Sequence, residues 1–142
     1  IALMQDQVTA LRSRGIDATF INSSLDRETR IRRYEELQSN RYRILYVTPE
    51  RFRNAEFNKA IQHRTIKLLA IDEAHCVSQW GHDFRPDYSR VGDIRAKLGN
   101  PTTIALTATA TSACRRDIYL QLNLKEDEVR LFHEGIERPN LS

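Results

Sequence analysis

Short apolar runs that alternate with helical patterns constrain the fold of this chain more than any other feature. Strands are predicted at Ile16–Ile21, Arg43–Thr48, Ile66–Ile71 and Thr103–Leu106. Helical patterns fill the intervals, at Ile1–Arg14, Asp26–Ser39, Glu50–His63 with a break near Asn54, Pro86–Leu98 and Thr111–Leu122. Strands that alternate with helices of about 10–15 residues indicate βαβ units and a parallel sheet. The strands are apolar on both faces, which predicts an α/β fold with helices on both sides of the sheet.

The length of 142 residues corresponds to one domain or part of one. The opening helix has no capping residue before Ile1, so we expect residues 1–142 to be a single partial domain cut from a longer chain. A further strand is predicted in the tail at Val129–Phe132.

Composition excludes several classes of protein. No apolar run approaches the roughly 18 residues that span a bilayer, and two cysteines, Cys76 and Cys114, are too few for a disulfide scaffold. We therefore expect an intracellular protein with no membrane partner. A net charge of +3 and a pI near 9.1 permit a polyanionic partner without requiring one.

Polar residues follow three of the strands, where the binding crevice of an open parallel sheet lies. The sharpest case is Asp72-Glu73, directly after an apolar strand, which is the Walker B arrangement. One carboxylate can hold Mg²⁺ through water, and its neighbour can activate the water that attacks a γ-phosphate. The alternative is that Asp72 only caps the next helix.

Residues 78–86 form the second candidate, which we call the aromatic loop. It contains the single tryptophan of the chain and shows neither the strand nor the helix period. Aromatic faces stack on bases and arginine holds phosphates, so the loop predicts contact with nucleic acid. Its candidate residues are Gln79, Trp80, His82, Phe84 and Arg85. The alternative is that Trp80 and Phe84 tuck into the core.

Two other strand ends carry weaker signals. Thr107 and Thr109 offer hydroxyl groups that can relay hydrogen bonds between two sites, while N-capping of the helix at Thr111–Leu122 is a strong alternative. Thr48 and Glu50 can equally just start a helix, with Pro49 in its first position.

Potential zinc ligands are present, but not at zinc spacing. His75, Cys76, His82 and Cys114 lack any C-x₂₋₄-C or H-x₃₋₅-H pairing. We therefore expect no structural zinc in this segment, and Cys76 as a small buried hydrophobic residue.

At these residues the sequence resembles the RecQ family of DNA helicases. The matching segments are Ile1–Val8 (motif Ia), Tyr46–Arg51, Asp72–His75 (motif II), Cys76–Tyr88 (the family's aromatic-rich loop), Ala105–Thr111 (motif III) and Arg138–Leu141 (the end of the first lobe). DEAH alone is shared with many helicases, whereas DEAHCVSQWGHDFRP is specific to RecQ-type proteins.

The resemblance implies a three-layer RecA-like helicase lobe within an ATP-driven motor. Such a motor moves 3′→5′ on single-stranded DNA and unwinds duplex and forked DNA in repair and recombination. Asp72 would hold Mg²⁺ through water, Glu73 would activate water, and His75 would couple the ATP site to its neighbours. The implied DNA-binding and coupling residues are Thr48, Glu50, Arg51, Gln79, Trp80, His82, Phe84, Arg85, Thr107 and Thr109.

One part of the family's machinery is missing from the sequence. No G-x-x-x-x-G-K-[ST] phosphate loop occurs, since all five glycines are isolated. The resemblance places that loop before Ile1 and an arginine finger after Ser142, so we expect little ATPase activity from the chain alone. The absent strand also predicts unpaired sheet edges and self-association.

Two other functions stay open from the residues alone. One is a non-catalytic nucleic-acid-binding module of the same fold. The other is a metal-dependent hydrolase that uses Asp72, Glu73 and His75.

Overall fold

The computed structural model describes residues 2–81 and 83–133. Within them, helices and strands alternate in the order α1 (Ala2–Ser13), β1 (Ala18–Ile21), α2 (Arg27–Gln38), β2 (Ile44–Val47), α3 (Ala55–Ile61), β3 (Leu68–Ile71), α4 (Val91–Lys97), β4 (Thr102–Ala105) and α5 (Ser112–Gln121). Short 3₁₀ turns occupy Pro49–Arg53, Ala74–Val77, Pro86–Arg90 and Glu126–Glu128. The motif at Arg138–Leu141 lies outside the described residues.

Side-chain caps explain where α2 and α3 begin. Asp26 accepts the backbone N–H of Thr29 at the start of α2. Asn54 closes the turn Pro49–Arg53 and accepts the N–H of Phe57 at 2.8 Å to start α3, so the predicted break is confirmed. These contacts satisfy backbone donors that have no partner within the helix.

The strands form two parallel pairs, which confirms the predicted α/β class with parallel strands. β1 pairs with β2, and β3 pairs with β4 in the register Leu68↔Thr102 to Ile71↔Ala105. In the part of the chain that the structure describes, no strand joins the two pairs. Each pair therefore has sheet edges without a strand partner among these residues.

The two pairs are covered to different degrees. All four residues of β1 are buried, and the cluster beside it includes Tyr34, Leu37 and Phe57. In the second pair, Leu69 and Ile71 pack toward α5, whereas Leu68 and Ile104 on the opposite face are 52% and 44% exposed. Helices thus cover both faces of β1 but one face of β3–β4.

Contacts between connecting segments join the half of the chain around β1–β2 to the half around β3–β4. Arg53 forms an ion pair with Asp87, which links the two 3₁₀ turns Pro49–Arg53 and Pro86–Arg90. Leu98, just after α4, packs against the cluster around Phe57.

The predicted strand at Val129–Phe132 is wrong. These residues pair with no strand, and Leu131 and Phe132 are 53% and 79% exposed. Apolar residues alone do not make a strand where no neighbour offers backbone partners. The predicted helix Pro86–Leu98 also differs, because it starts as a 3₁₀ turn and becomes α-helical at Val91.

No helix within residues 2–81 and 83–133 is both long and apolar enough to cross a lipid bilayer.

Candidate functional site

Asp72 and Glu73 lie at the carboxyl end of β3, and both side chains are exposed. Glu73 has φ 50° and ψ 45°, the left-handed conformation that residues other than glycine rarely adopt. Asp72 Oδ1 accepts the N–H of Glu73 at 2.9 Å. The 3₁₀ turn Ala74–Val77 therefore has Glu73 rather than Asp72 at its N-cap, without a side-chain capping bond. Both carboxylates face solvent just beyond the sheet.

The two strand ends of the second pair are joined by backbone hydrogen bonds beyond the strands themselves. Leu106 N–H donates to the carbonyl of Ile71, and Ala74 N–H donates to the carbonyl of Leu106, both at 2.8 Å. The loop after β4 is thereby held against the acidic loop after β3.

His75 connects these two loops through its ring. It is 6% exposed, and its Nδ1 lies 3.0 Å from Thr107 Oγ1 and 3.3 Å from Glu73 Oε2. Thr107 donates its single hydroxyl hydrogen to the carbonyl of Thr109 at 3.1 Å. Nδ1 is thus within hydrogen-bonding reach of both the Thr107 hydroxyl and the Glu73 carboxylate. The predicted group Glu73, His75 and Thr107 is one hydrogen-bonded cluster.

The threonines after β4 divide between two roles. Thr111 accepts the N–H of Cys114 at 3.2 Å and caps α5, so capping is confirmed for Thr111. Thr107 and Thr109 lie before the cap, in residues 106–110, which contact His75 and which we call the threonine loop.

The aromatic loop projects its tryptophan into solvent. Trp80 is 78% exposed and Phe84 is 37% exposed, so the alternative that both tuck into the core is wrong. The loop folds back on the turn that carries His75: Arg85 N–H donates to the carbonyl of Cys76 at 3.1 Å. A Cβ on Gly81 would lie 2.2 Å from the carbonyl oxygen of His75, so only glycine fits this approach. His82 lies outside the described residues.

Asp117, on α5, was missed by the sequence analysis. Its Oδ2 accepts the Ser78 hydroxyl at 2.6 Å and the Gln79 N–H at 3.2 Å. A signal was available, because the helix period places Asp117 between the buried residues Cys114 and Ile118 on one face of α5. An acid on an apolar stripe needs a polar partner.

Charges inside the aromatic loop are already paired. A hydrogen bond from Arg85 at 2.8 Å holds the pKa of Asp83 below its usual value, and the pKa of Arg85 is raised in return. Burial raises the pKa of the Cys76 thiol, which is 1% exposed, as expected of a small buried hydrophobic residue.

Three potential metal ligands do come together here. The ligand atoms of His75, Cys76 and Asp83 lie within 4.8 Å of one another. A thiol with a raised pKa and a carboxylate paired with arginine are poor ligands for zinc, which binds the thiolate. The absence of structural zinc stays a prediction.

Thr48, Glu50 and Arg51 follow β2 at the start of the turn Pro49–Arg53. Thr48 donates its hydroxyl to Glu50 Oε1 at 2.6 Å, and Pro49 opens the turn as predicted, while the DNA-binding role of these residues stays a prediction. Glu50 and Asp72 both lie within electrostatic range of Tyr88. The pKa of half-buried Tyr88 is raised by burial first, and also by nearby charges that include Asp72 and Glu50.

The candidate site thus joins two strand tips of a parallel α/β unit. The tip of β3 carries Asp72 and Glu73, and the Glu73 carboxylate contacts His75, which bonds to Thr107 after β4. The chain belongs to the DEAD/DEAH box helicase family, whose model matches residues 1–116.

Curated relatives sharpen this assignment. The chain is 42% identical over 141 residues to "ATP-dependent DNA helicase RecQ" of Haemophilus influenzae, covering 99% of this chain and 22% of that protein. It is 42% identical to the Bacillus subtilis protein of the same name, covering 100% of this chain and 24% of that protein. It is also 42% identical to "ATP-dependent DNA helicase Q5" of Mus musculus, covering 99% of this chain and 15% of that protein. The resemblance to RecQ-type proteins is confirmed, and the chain spans a quarter or less of these relatives.

A solved structure supports the fold. The helicase domain of Hef from Pyrococcus furiosus superposes with a TM-score of 0.61 at 17% identity, covering 89% of this chain and 26% of that one. The predicted RecA-like architecture is confirmed at the level of the fold.

Proposed function

We propose that this chain forms part of an ATP-dependent DNA helicase of RecQ type. The observation that carries the proposal is the position of His75, whose Nδ1 contacts both the Glu73 carboxylate and the Thr107 hydroxyl. A group that joins the strand-tip acid to a second loop suits a motor that couples hydrolysis to movement. The names of the relatives support ATP as the energy source and DNA as the substrate.

The strand tip suits the metal and water side of ATP hydrolysis. Asp72 and Glu73 offer exposed carboxylate oxygens, the ligand type that Mg²⁺ prefers. Asp72 would hold the ion through water, and the ion would offset charge on the ATP phosphates. Glu73 would orient and deprotonate the attacking water. No residue of this sequence forms a G-x-x-x-x-G-K-[ST] loop, so the role proposed for this chain does not include the phosphate cradle.

The aromatic loop suits single-stranded DNA. Trp80 offers an exposed ring on which a base can stack. Arg85 would exchange Asp83 for a DNA phosphate, and Gln79, His82 and Phe84 would complete the contact. Five further residues would line the DNA-binding surface or signal to the ATP site that DNA is bound. They are Thr48, Glu50, Arg51, Thr107 and Thr109.

The remaining features of the proposal follow from the RecQ resemblance. They are 3′→5′ movement, action on forked DNA, and an intracellular location, in the nucleoid of a bacterium or the nucleus of a eukaryote. Self-association of the chain through its unpaired sheet edges is part of the same proposal.

The hydrolytic role of Glu73 is tested in a chimera in which this chain replaces the matching segment of the Haemophilus influenzae helicase. Glu73→Gln keeps the shape of the side chain and removes the base, so we expect the kcat for ATP to fall about 10²–10⁴-fold while ATP binding survives. The matched control is Glu35→Gln, an exposed position on α2. Undiminished turnover in Glu73→Gln would reject the base.

The DNA role is tested on the chain itself, since Trp80 is its single tryptophan. Stacking on a base should quench Trp80 fluorescence, and the logarithm of affinity should fall linearly with the logarithm of salt concentration. Trp80→Ala should weaken binding of a labelled single strand by about 1–3 kcal/mol. Phe132→Ala, at another exposed aromatic residue, is the control. Equal losses in both variants would count against the loop, and DNA binding without turnover in the chimera would favour a non-catalytic binding module.

A further inference from the structure

We infer that Asp117 is a positioning residue that fixes the aromatic loop to α5 and so ties Trp80 to the threonine loop at His75. The inference rests on the proposed function, in which Trp80 contacts DNA. Asp117 itself has no role in hydrolysis here, because it acts on the loop rather than on a reacting atom.

The contacts of Asp117 converge on the first residues of the aromatic loop. Its Oδ2 accepts both the hydroxyl of Ser78 at 2.6 Å and the N–H of Gln79 at 3.2 Å. Its Oδ1 accepts the side-chain amide of Gln121 at 3.3 Å, one turn further along α5. Both carboxylate oxygens are therefore used, and the side chain is held from two sides.

The bond to Ser78 sets the direction of the next contact. Ser78 is fully buried, and its single hydroxyl hydrogen points to Asp117. Its oxygen is then free to accept the N–H of Trp80, which it does at 3.1 Å. A charge-assisted bond to a buried hydroxyl is stronger than a neutral one, so Asp117 orders the backbone at Trp80 through Ser78.

α5 also connects the aromatic loop to the residues that follow β3 and β4. α5 begins at its cap, Thr111, and the loop just before that cap contains Thr107, which bonds to His75. A second connection runs along the backbone, because His75 and Ser78 are joined by the buried 3₁₀ turn Ala74–Val77. A shift of the Trp80 backbone therefore either breaks its bond to Ser78 or is passed through Ser78 to Asp117 and α5.

The first test measures the mobility of Trp80 in the chain without DNA. Asp117→Ala should lower the fluorescence anisotropy of Trp80 and increase its quenching by iodide. Asp117→Asn keeps one acceptor oxygen and should recover part of the native anisotropy. Asp127→Ala is the control, an exposed acid in the turn Glu126–Glu128 that makes no side-chain bond among the described residues. Native anisotropy in Asp117→Ala would overturn the inference.

The second test measures DNA. Asp117→Ala should weaken single-stranded DNA binding about tenfold, and in the chimera it should raise the DNA concentration for half-maximal ATPase stimulation by a similar factor. Ser78→Ala should act through the same path, so the double variant should be no weaker than the stronger single variant. Fully additive losses would overturn the path through Ser78.

The outcomes separate the inference from the function beneath it. A native chain that fails to bind DNA contradicts the proposed function, while the anisotropy measurement still decides whether Asp117 holds the loop. If the native chain binds DNA and Asp117→Ala is indistinguishable from Asp127→Ala, the proposed function is retained and the positioning role of Asp117 is rejected. If circular dichroism shows Asp117→Ala to be unfolded, Asp117→Asn and Ser78→Ala give the same two readouts.

Discussion

The pair β1–β2 and the pair β3–β4 have the same parallel geometry and opposite surroundings. β1 is buried at every position, and the strand end at Asn22 is closed, with its side chain 1% exposed and bonded to Ser24. β3 and β4 leave Leu68 and Ile104 open on one face, and their ends carry exposed acids and threonines. The first pair is stabilised by apolar burial, whereas the loops of the second are held by directed polar contacts. The candidate site thus lies at the ends of the pair whose strands are less completely buried.

The largest effect is expected where burial is deepest. Phe57 is 0% exposed and packs between Phe52 and Tyr34. Phe57→Ala should lower the free energy of unfolding by about 3–5 kcal/mol, because it removes a buried ring and leaves a cavity. The measurement is urea denaturation, with Phe132→Ala at an exposed ring as the control. Similar losses in the two variants would contradict the conclusion that apolar burial stabilises the part of the chain around β1–β2.

A smaller but more local effect is expected at Gly81, in the second half. The added Cβ of Gly81→Ala would meet the backbone oxygen of His75, which cannot move without shifting the strand-tip loop. Overpacking of this kind costs about 1–3 kcal/mol, and the DNA-dependent quenching of Trp80 should weaken with it. Ser23→Ala, in an exposed turn, is the control for both measurements. Unchanged quenching in Gly81→Ala would mean that the close approach does not shape the loop.

The smallest effect concerns pH. The pKa of Asp83 lies below its usual value of 3.8 because Arg85 donates a hydrogen bond to it. Its contribution to stability is therefore complete above the unfolded pKa and is lost as pH falls through the lower folded pKa. Asp83→Asn should remove this dependence, so its melting temperature should fall less than that of the native chain between pH 5 and about pH 3. Asp127→Asn serves as the control, and an identical acid slope in Asp83→Asn would exclude the ion pair as a source of stability.

Local signals in the sequence were enough for most of the fold. The strand predicted at Arg43–Thr48 is observed at Ile44–Val47, and Asn54 does divide the helical segment around it. Apolar runs, caps and breakers act within a few residues, which is why they can be predicted from one sequence. The predicted tail strand is wrong because pairing depends on a neighbouring strand, which residues 129–132 lack among residues 2–81 and 83–133.

The site was predictable in its parts and not in its connections. Asp72, Glu73, His75 and Trp80 follow from motif and resemblance, but the left-handed backbone of Glu73 has no local signal. The Asp117 contacts join residues 38 and 39 positions apart, a separation at which a single sequence gives no pairing information. What the sequence lacked was the tertiary arrangement that brings α5 to the aromatic loop.

At position 73, the backbone conformation and the proposed catalytic role favour different residues. A glycine there would accept φ 50° without the cost of about 1–3 kcal/mol that such strain carries for other residues. Selection of this chain for heat tolerance alone would therefore enrich glycine at position 73 and discard the acid. Under the role proposed for Glu73, laboratory evolution toward a more stable protein therefore needs an ATPase readout in the chimera from the first round.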